Sequence, residues 1–482
     1  MADGNASETV GHGPAAGGTG SGGAVIGGVE GGPGTGGARV DGAGGAVSGT
    51  GERPEAVVPA RAGGGQVPGG AGDPVDLEAI RRAAAAIAGF VHRTPLLGSA
   101  AFSELAGADV FLKLENLQKT GSFKVRGAFN RLSRLDAAAR ARGVICASAG
   151  NHAQGVALAG ARLGVPVTVV MPETAPTTKV VATRGYGAEV VLHGEGYDGA
   201  YDRACQLAEE RGLTFIHAFD DPLVVAGQGT VGLEILEDLP DVDTVVVPVG
   251  GGGLIAGIAI AVKAQKPGVR VVGVQPQEAP ALARAFATGR LEPVVRARTI
   301  ADGLAVKTPR EMTFRLIQRY VDDMVTVTEE EIARAILLLL ERAKLVAEGA
   351  GAAALAALLY GKVQHAGRVA VVVSGGNIDV NLLARIIERG LLEDGRLIRI
   401  RTLVADRPGA LQALLKVIAD HRGNILAVYH DRLRHEVALG ETEVELIIET
   451  RDAAHVDEIR SALADRGYAV QGLEVQPAVR RP

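Results

Sequence analysis

The sequence predicts an α/β protein with a mostly parallel sheet, followed by a smaller ferredoxin-like module. Three observations carry that expectation. From Asp76 onward, short β-rich runs alternate with helical segments, the order that builds parallel sheets through crossover connections. From about Leu397 the order changes to strand, helix, strand, strand, helix, strand, the βαββαβ plan. Residues with chemical character fall just after predicted strands, where ligands sit in open α/β sheets.

The elements follow in chain order. Residues 76–88 form a helix with Asp76 as N-cap. A strand at 110–114 leads to a helix from Val125, and one at 144–147 leads to a helix from His152. Further strands are expected at 167–171, 189–192, 214–216, 244–249, 269–274 and 369–373. In the second module the strands are 397–404, 425–430, 443–449 and 469–475, with helices at 409–421 and 454–466. Gly395 marks the boundary, dividing the chain into 1–75, 76–395 and 396–482.

At 482 residues the chain has room for two to four domains. Glycine is the outlier at 67 residues, and 26 of these lie in the first 75 positions. That stretch has no aromatic residue and no hydrophobic period, so it buries too little apolar surface to offset its ordering entropy. A disordered Gly-rich extension is expected there. The net charge of -5, with both signs interspersed, offers no basic footprint for nucleic acid or an anionic membrane. Aromatic residues make up only 3% and Trp is absent, which removes stacking platforms for single strands. Cys146 and Cys205 are the only cysteines, in no CxxC pair, so neither a thiolate zinc site nor a disulfide framework is indicated. The longest apolar runs, 335–340 and 352–359, fall far short of the roughly 18–20 residues that span a bilayer. The start lacks the basic region and apolar core of a signal peptide. A cytoplasmic location is expected.

Four segments carry candidate chemistry. In Ser122-Phe123-Lys124-Val125-Arg126-Gly127-Ala128, Lys124 stands at a helix start, where the helix dipole disfavours a cation by about 0.3–1 kcal/mol. Neutralising it as a Schiff base relieves that conflict, and a lysine imine is a standard way to hold an aldehyde cofactor. In Ser148-Ala149-Gly150-Asn151-His152-Ala153-Gln154-Gly155, the glycine lets backbone amides approach an anion and Asn151 can donate to a phenolate oxygen. A helix-start residue satisfied by local backbone accounts for His152 as well as a catalytic base does. In Pro248-Val249-Gly250-Gly251-Gly252-Gly253, four consecutive glycines before a helix expose N–H groups suited to a phosphate. The same stretch matches GxGxxA, but the dinucleotide reading wants an acidic residue after the next strand and Gln275 stands there. A single phosphate fits better. In Ser374-Gly375-Gly376-Asn377, a hydroxyl can hydrogen-bond a neutral pyridine nitrogen, and an ordinary strand-to-helix turn explains the segment equally well.

Together these segments resemble the threonine/serine dehydratase group of the tryptophan synthase β-like, fold type II, pyridoxal-phosphate enzymes, over about residues 78–395. The resemblance implies a two-subdomain core with pyridoxal 5'-phosphate on Lys124 and Phe123 as a packing wall for its ring. It implies Asn151 at the ring hydroxyl, Gly250, Gly251, Gly252 and Gly253 at the phosphate, and Ser374 at the ring nitrogen. The substrate carboxylate would dock on Ser148, Ala149 and His152, largely through backbone amides. The implied reaction is β-elimination and deamination of L-threonine to 2-oxobutanoate and ammonia, and of L-serine to pyruvate. Arg93-Thr94-Pro95-Leu96 and Phe219-Asp220-Asp221-Pro222 also look like family segments, with structural roles. The C-terminal segment resembles an ACT domain, an amino-acid-sensing module, in its βαββαβ order and in Asp406-Arg407-Pro408-Gly409. That implies a branched-chain amino-acid effector and a homo-oligomer, a dimer or tetramer.

Departures narrow the expectation. Serine racemases of this group need a second hydroxyl in the asparagine loop, and Ala149 stands in its place, so racemisation is not expected. Related members bind a divalent cation through acids after the 269–274 strand, where this chain has Gln275, Ala279 and Ala281, so no such metal is expected. The alternatives are a serine dehydratase or β-replacement enzyme of the same fold, which usually has Thr where His152 stands, and a non-catalytic amino-acid sensor, which would be expected to lose Lys124 or the glycine loop.

Overall fold

The computed structural model describes residues 72–364, 366–431 and 437–471; of the extension expected over 1–75, residues 1–71 lie outside the described residues, while Val75 is buried in the core and Asp73 accepts from the Tyr320 hydroxyl, so the body begins before Asp76. The first body holds two sheets. One has six strands in the order β1 (Leu96–Gly98), β2 (Asp109–Leu114), β10 (Arg368–Val373), β7 (Thr244–Pro248), β8 (Arg270–Pro276) and β9 (Asp323–Val327). Only β1 runs antiparallel, at the edge. The other sheet is fully parallel, in the order β5 (Glu189–Leu192), β4 (Val167–Met171), β3 (Val144–Ala147) and β6 (Thr214–Phe215). Strands β3, β4 and β7 are buried along their whole length, as unbroken apolar runs in a parallel sheet require when helices cover both faces.

The position of β10 shapes the rest of this body. It is the last strand of the body in the chain, yet it inserts between β2 and β7, with Val373 in register with Leu114. Ser374 is thereby delivered beside the segment that leaves β2. Strands β1 and β9 are not among the expected elements. Both are short and largely half-buried or exposed, so neither shows a clear apolar alternation. The strand expected at 269–274 extends to Pro276 because it keeps its register with β9 through Val327.

Three helices pack on one another with backbone nearly in contact. They are Lys124–Ser133, Pro222–Asp238 and Gly253–Gln265. A Cβ added at Gly227 would lie 2.6 Å from the Cα of Gly127, and one at Gly257 would lie 2.6 Å from the nitrogen of Gly229. No side chain fits at these crossings. The second of these helices starts cleanly, with Pro222 in its first turn and Asp221 accepting from the amides of Leu223 and Val224.

A buried ionic cluster joins two of these helices to β2. The guanidinium of Arg126 donates to both oxygens of Glu115, at 2.9 and 2.7 Å, and to both oxygens of Glu234, at 2.6 and 2.9 Å. Lys113 Nζ donates to Glu234 at 2.6 Å and to the Thr94 carbonyl at 2.7 Å. The Thr94 hydroxyl donates to Glu115 at 2.5 Å. Lys113, Glu115 and Arg126 are fully buried. Two cations face two carboxylates with nearly every polar atom engaged, the condition under which buried charge is tolerated.

The second module pairs β11 (Leu397–Ala405) and β12 (Asn424–Asp431) on either side of β13 (Glu441–Glu449), all antiparallel. Buried residues alternate along β11 and β13, and helices Ala410–Asp420 and Ala453–Asp465 share their core, which includes Ile400, Leu414, Leu446 and Ile459. A bridge from Gln471 to Arg401 sets the start of the expected last strand against β11, which is the ferredoxin-like order; the rest of that strand lies outside the described residues. Gly395 takes a φ of +64°, and a Cβ there would lie 2.9 Å from Ala453, so the junction between the modules needs glycine.

Removing one member of the ionic cluster leaves its partners charged and dry. Arg126→Met is expected to lower the unfolding free energy by about 3–5 kcal/mol. Urea denaturation of the full chain measures this, and a loss below about 1 kcal/mol would mean that Glu115 and Glu234 find other partners.

Candidate active site

The four sequence segments meet where the two sheets face each other. Lys124 is the first residue of its helix; Phe123 before it is already helical in φ and ψ, and Ser122 is extended. Ser122 forms an antiparallel bridge with Gly375, the Phe123 amide donates to the Ser374 carbonyl at 3.2 Å, and the Gly376 amide donates to Gly121 at 2.9 Å. The lysine segment and the Ser374 turn are therefore stitched together by backbone. Helix Asn151–Leu163 of the other sheet lies against the same place: a Cβ at Gly155 would be 3.1 Å from the Val125 nitrogen.

Segment 216–219 completes the enclosure. The Ile216 carbonyl accepts from His152 Nε2 at 3.0 Å, and the Ala218 carbonyl accepts from Lys124 Nζ at 3.0 Å. Phe219 packs on the glycine loop so closely that a Cβ at Gly251 would collide with its ring and one at Gly253 would sit 2.9 Å from its carbonyl oxygen. Gly252 takes a φ of +92° as the helix cap, so Gly253 is already the first helical residue. The loop is held from below by Gln275, whose Nε2 donates to the Val249 carbonyl at 3.0 Å while its Oε1 accepts from the Ala283 amide at 2.7 Å. The residue that stands where an acid would be expected for a dinucleotide thus pins the glycine loop.

Electrostatics at the site are strained toward neutrality. Burial lowers the Lys124 amine to about 8, against a pull upward from Glu348. Burial also holds the His152 imidazole down at about 3, with Lys124 pushing the same way. At neutral pH His152 is therefore uncharged; Nε2–H is given to Ile216, and Nδ1 is buried with no hydrogen-bond partner among the described residues. The backbone partner of His152 is therefore not local but 64 residues away, and its low proton affinity does not suit it to a general base. His217 is held down at about 4 by burial, then by Arg310 and Lys124, and its Nδ1 accepts from the Asp220 amide at 2.9 Å.

Asn151 adds a side-chain contact with the Ser374 turn and with Glu348. Its Oδ1 accepts from Asn377 Nδ2 at 2.7 Å and its Nδ2 donates to Glu348 Oε1 at 2.6 Å. Glu348 was not among the candidates from sequence. Its one signal there is position, a single carboxylate opening the small-residue helix Gly349–Leu359. Ser148 accepts from the Gly150 amide at 3.1 Å, and Ser374 Oγ donates to the Ala350 carbonyl at 3.2 Å. Among the described residues no three or more His, Cys, Asp or Glu gather in a way that could hold a metal ion.

This arrangement fits pyridoxal phosphate. A buried lysine amine lowered to about 8 stands over the Phe123 ring, 5.3 Å from its centroid, and a glycine cradle with no room for a Cβ opens a helix. Residues 87–375 match the pyridoxal-phosphate dependent enzyme family, and the chain belongs to it; residues 398–475 match the ACT domain. The L-threonine ammonia-lyase of Thermotoga maritima is 52% identical over 397 residues, covering 82% of this chain and 99% of that one. Among solved structures, the processed form of threonine deaminase isoform 2 from Solanum lycopersicum superposes with a TM-score of 0.62 at 38% identity, over 64% of this chain and 87% of that one. Maize serine racemase gives 0.63 at 35% identity, over 66% and 98%.

The lowered amine has a stability consequence with a definite sign. Lys124 sits near 8 in the folded chain against 10.5 in its ordinary state. Its charge therefore destabilises the fold below pH 8, and the penalty fades as pH rises from 8 toward 10.5. Without cofactor, Lys124→Met is expected to melt higher than the parent at pH 7 and to lose that advantage as pH is raised. Thermal unfolding across pH 7–9.5 checks this, and a lower melting point at pH 7 would contradict it.

Proposed function

We propose that the protein deaminates L-threonine to 2-oxobutanoate and ammonia, and L-serine to pyruvate, with pyridoxal phosphate carried on Lys124. The observation that most supports this reading is a buried lysine amine lowered to about 8 and enclosed by the asparagine loop, the glycine loop and the Ser374 turn, in a chain matching almost the full length of an L-threonine ammonia-lyase. Backbone amides of Gly250, Gly251, Gly252 and Gly253 would hold the phosphate at the start of helix Gly253–Gln265. Phe123 would wall one face of the ring, Asn151 would donate to its hydroxyl oxygen, and Ser374 would meet its nitrogen. When bound, the cofactor supplies the electron sink that weakens the substrate Cα–H bond.

The chain's own residues handle the rest. Amides of Ser148, Ala149 and His152, at the start of helix Asn151–Leu163, would orient the substrate carboxylate. A Lys124 amine lowered to about 8 is suited to take the Cα proton on Nζ, because its base form is far more accessible near neutral pH than that of an ordinary lysine. Loss of the Cα proton and of the β-hydroxyl, which must itself be protonated to leave, together release one water, and addition of one water to the released enamine gives the oxoacid and ammonia. A Ser374 hydroxyl cannot protonate the ring nitrogen as a carboxylic acid would, which favours elimination over transamination. Ala149 offers no hydroxyl to return a proton from the opposite face, which argues against racemisation, although maize serine racemase shares the fold.

The same reading assigns the ACT domain to regulation by a branched-chain amino acid in a homodimer or tetramer, in the cytoplasm. No helix among the described residues is long and apolar enough to cross a membrane. The Arg396–Glu341 ion pair, at 2.5 Å, and the hydrogen bond from Thr450 to the Gly395 carbonyl, at 2.6 Å, tie the ACT sheet to the preceding helices and offer a physical link.

Purified protein is expected to absorb in the visible and to release 2-oxoacid from threonine and serine. Lys124→Ala is expected to lose both the absorbance and turnover, and an active Lys124→Ala enzyme would sink the assignment. Serine incubated with the enzyme is expected to yield no D-serine. Threonine saturation is expected to shift with isoleucine or valine, by a coupling of about 1–3 kcal/mol. An unmoved curve together with no binding by calorimetry would leave the ACT domain with another ligand or a structural role.

A further inference from the structure

The proposed function sets Asn151 against the cofactor's ring oxygen, and the present inference rests on that placement. An amide side chain has two chemically opposite ends, and at this position only the N–H end is useful. What decides which end turns toward the cofactor is the set of groups already holding the other atoms. Asn377 Nδ2 donates to the Thr120 carbonyl and to Asn151 Oδ1, both at 2.7 Å, so the oxygen of Asn151 is committed to a donor. Glu348 Oε1 accepts from Asn151 Nδ2 at 2.6 Å, so one of its two N–H groups is committed to an acceptor. One N–H of Asn151 remains. We propose that Glu348 is a positioning residue: its carboxylate, together with Asn377, locks the Asn151 amide so that the remaining N–H faces the cofactor.

The fold holds Glu348 firmly for this task. Its backbone amide donates to the Gly375 carbonyl at 3.1 Å, and helix Gly349–Leu359 begins at the next residue. The carboxylate lies over Gly375, where an added Cβ would collide with Oε1. That gives a reason for glycine after Ser374: a side chain there would displace the group that orients Asn151. Because Asn151 belongs to the sheet containing β3 and Glu348 precedes the strand that carries Ser374, the pair also spans the two halves of the site. The charged groups that act on Glu348 come from three other segments: Lys179 and Lys124 favour its carboxylate, and Asp302 opposes it. Burial outweighs them and lifts the group to about 7, so its charge changes in the working pH range.

A double-mutant cycle on the full-length holoenzyme tests the proposal. Pyridoxal phosphate affinity and the pH dependence of its visible band are measured for the parent, Glu348→Ala, Asn151→Ala and the double variant, with thermal unfolding alongside. Glu348→Ala is expected to weaken cofactor binding roughly tenfold and to move the band's pH midpoint by about half a unit or more. If Glu348 acts through Asn151, the double variant binds no worse than Asn151→Ala alone, within about twofold. Glu348→Gln, which keeps an oxygen for Asn151, is expected to recover most of the affinity; should Glu348→Ala fail to fold, Glu348→Asp, whose shorter side chain withdraws the carboxylate from Asn151, takes its place in the cycle. Losses that multiply in the double variant, or an unmoved band midpoint in the Glu348 variant, overturn the proposal. A parent protein with no visible band instead overturns the cofactor reading itself, so the two failures are distinguishable.

Discussion

The buried ionic cluster around Arg126 is the constraint on which the site depends. Arg126 lies two residues beyond Lys124 on the same helix, and its guanidinium is gripped by Glu115 at the end of β2 and by Glu234 from helix Pro222–Asp238. Three elements therefore share one set of charges, and none can rotate or slide without stranding a dry carboxylate. A hydrophobic contact tolerates such slippage, because apolar burial has no direction. A four-cornered array of hydrogen-bonded charges does not. The helical turn that carries Lys124 is thus anchored by a fully buried guanidinium two residues further on.

Close backbone approach supplies the second constraint. The helices that carry Lys124, the glycine loop and the cluster's Glu234 cross at Gly127 with Gly227 and at Gly229 with Gly257. These contacts place the glycine loop and the lysine at a spacing determined by main chain rather than by side-chain volume. They also explain why a glycine count high enough to look like low complexity at the N-terminus has a different meaning inside the body, where a Cβ at these crossings would strike backbone.

The site that results is not comfortable. It holds a lysine amine short of solvent, a histidine with one ring nitrogen unpaired among the described residues and a glutamate lifted toward neutrality. Each is a departure from the most stable arrangement, since burial without full pairing costs free energy. The surrounding cores are composed almost wholly of Val, Ile, Leu and Ala and carry the stability that this arrangement gives up.

Much of this was legible in the chain. The alternation of strands and helices, the change of texture at Leu397, and the lysine, asparagine-loop, glycine-loop and Ser374 segments were readable because each is local: a period, a cap or a turn written in consecutive residues. The edge strands β1 and β9 were not, since a short strand with little buried face leaves no alternation. The state of His152 stayed open in the sequence because it depends on the Ile216 carbonyl, 64 residues away. Glu348 and Gln275 look like ordinary polar residues until the chain folds; one then meets Asn151 across 197 positions and the other meets Val249 across 26. The sequence by itself determined which elements form and which residue types can do chemistry, since those follow from local propensity and turn geometry. Tertiary structure alone decided which polar groups end up dry and in whose company. Burial and long-range pairing set proton affinities and orientations, and neither is a property of any stretch of neighbouring residues.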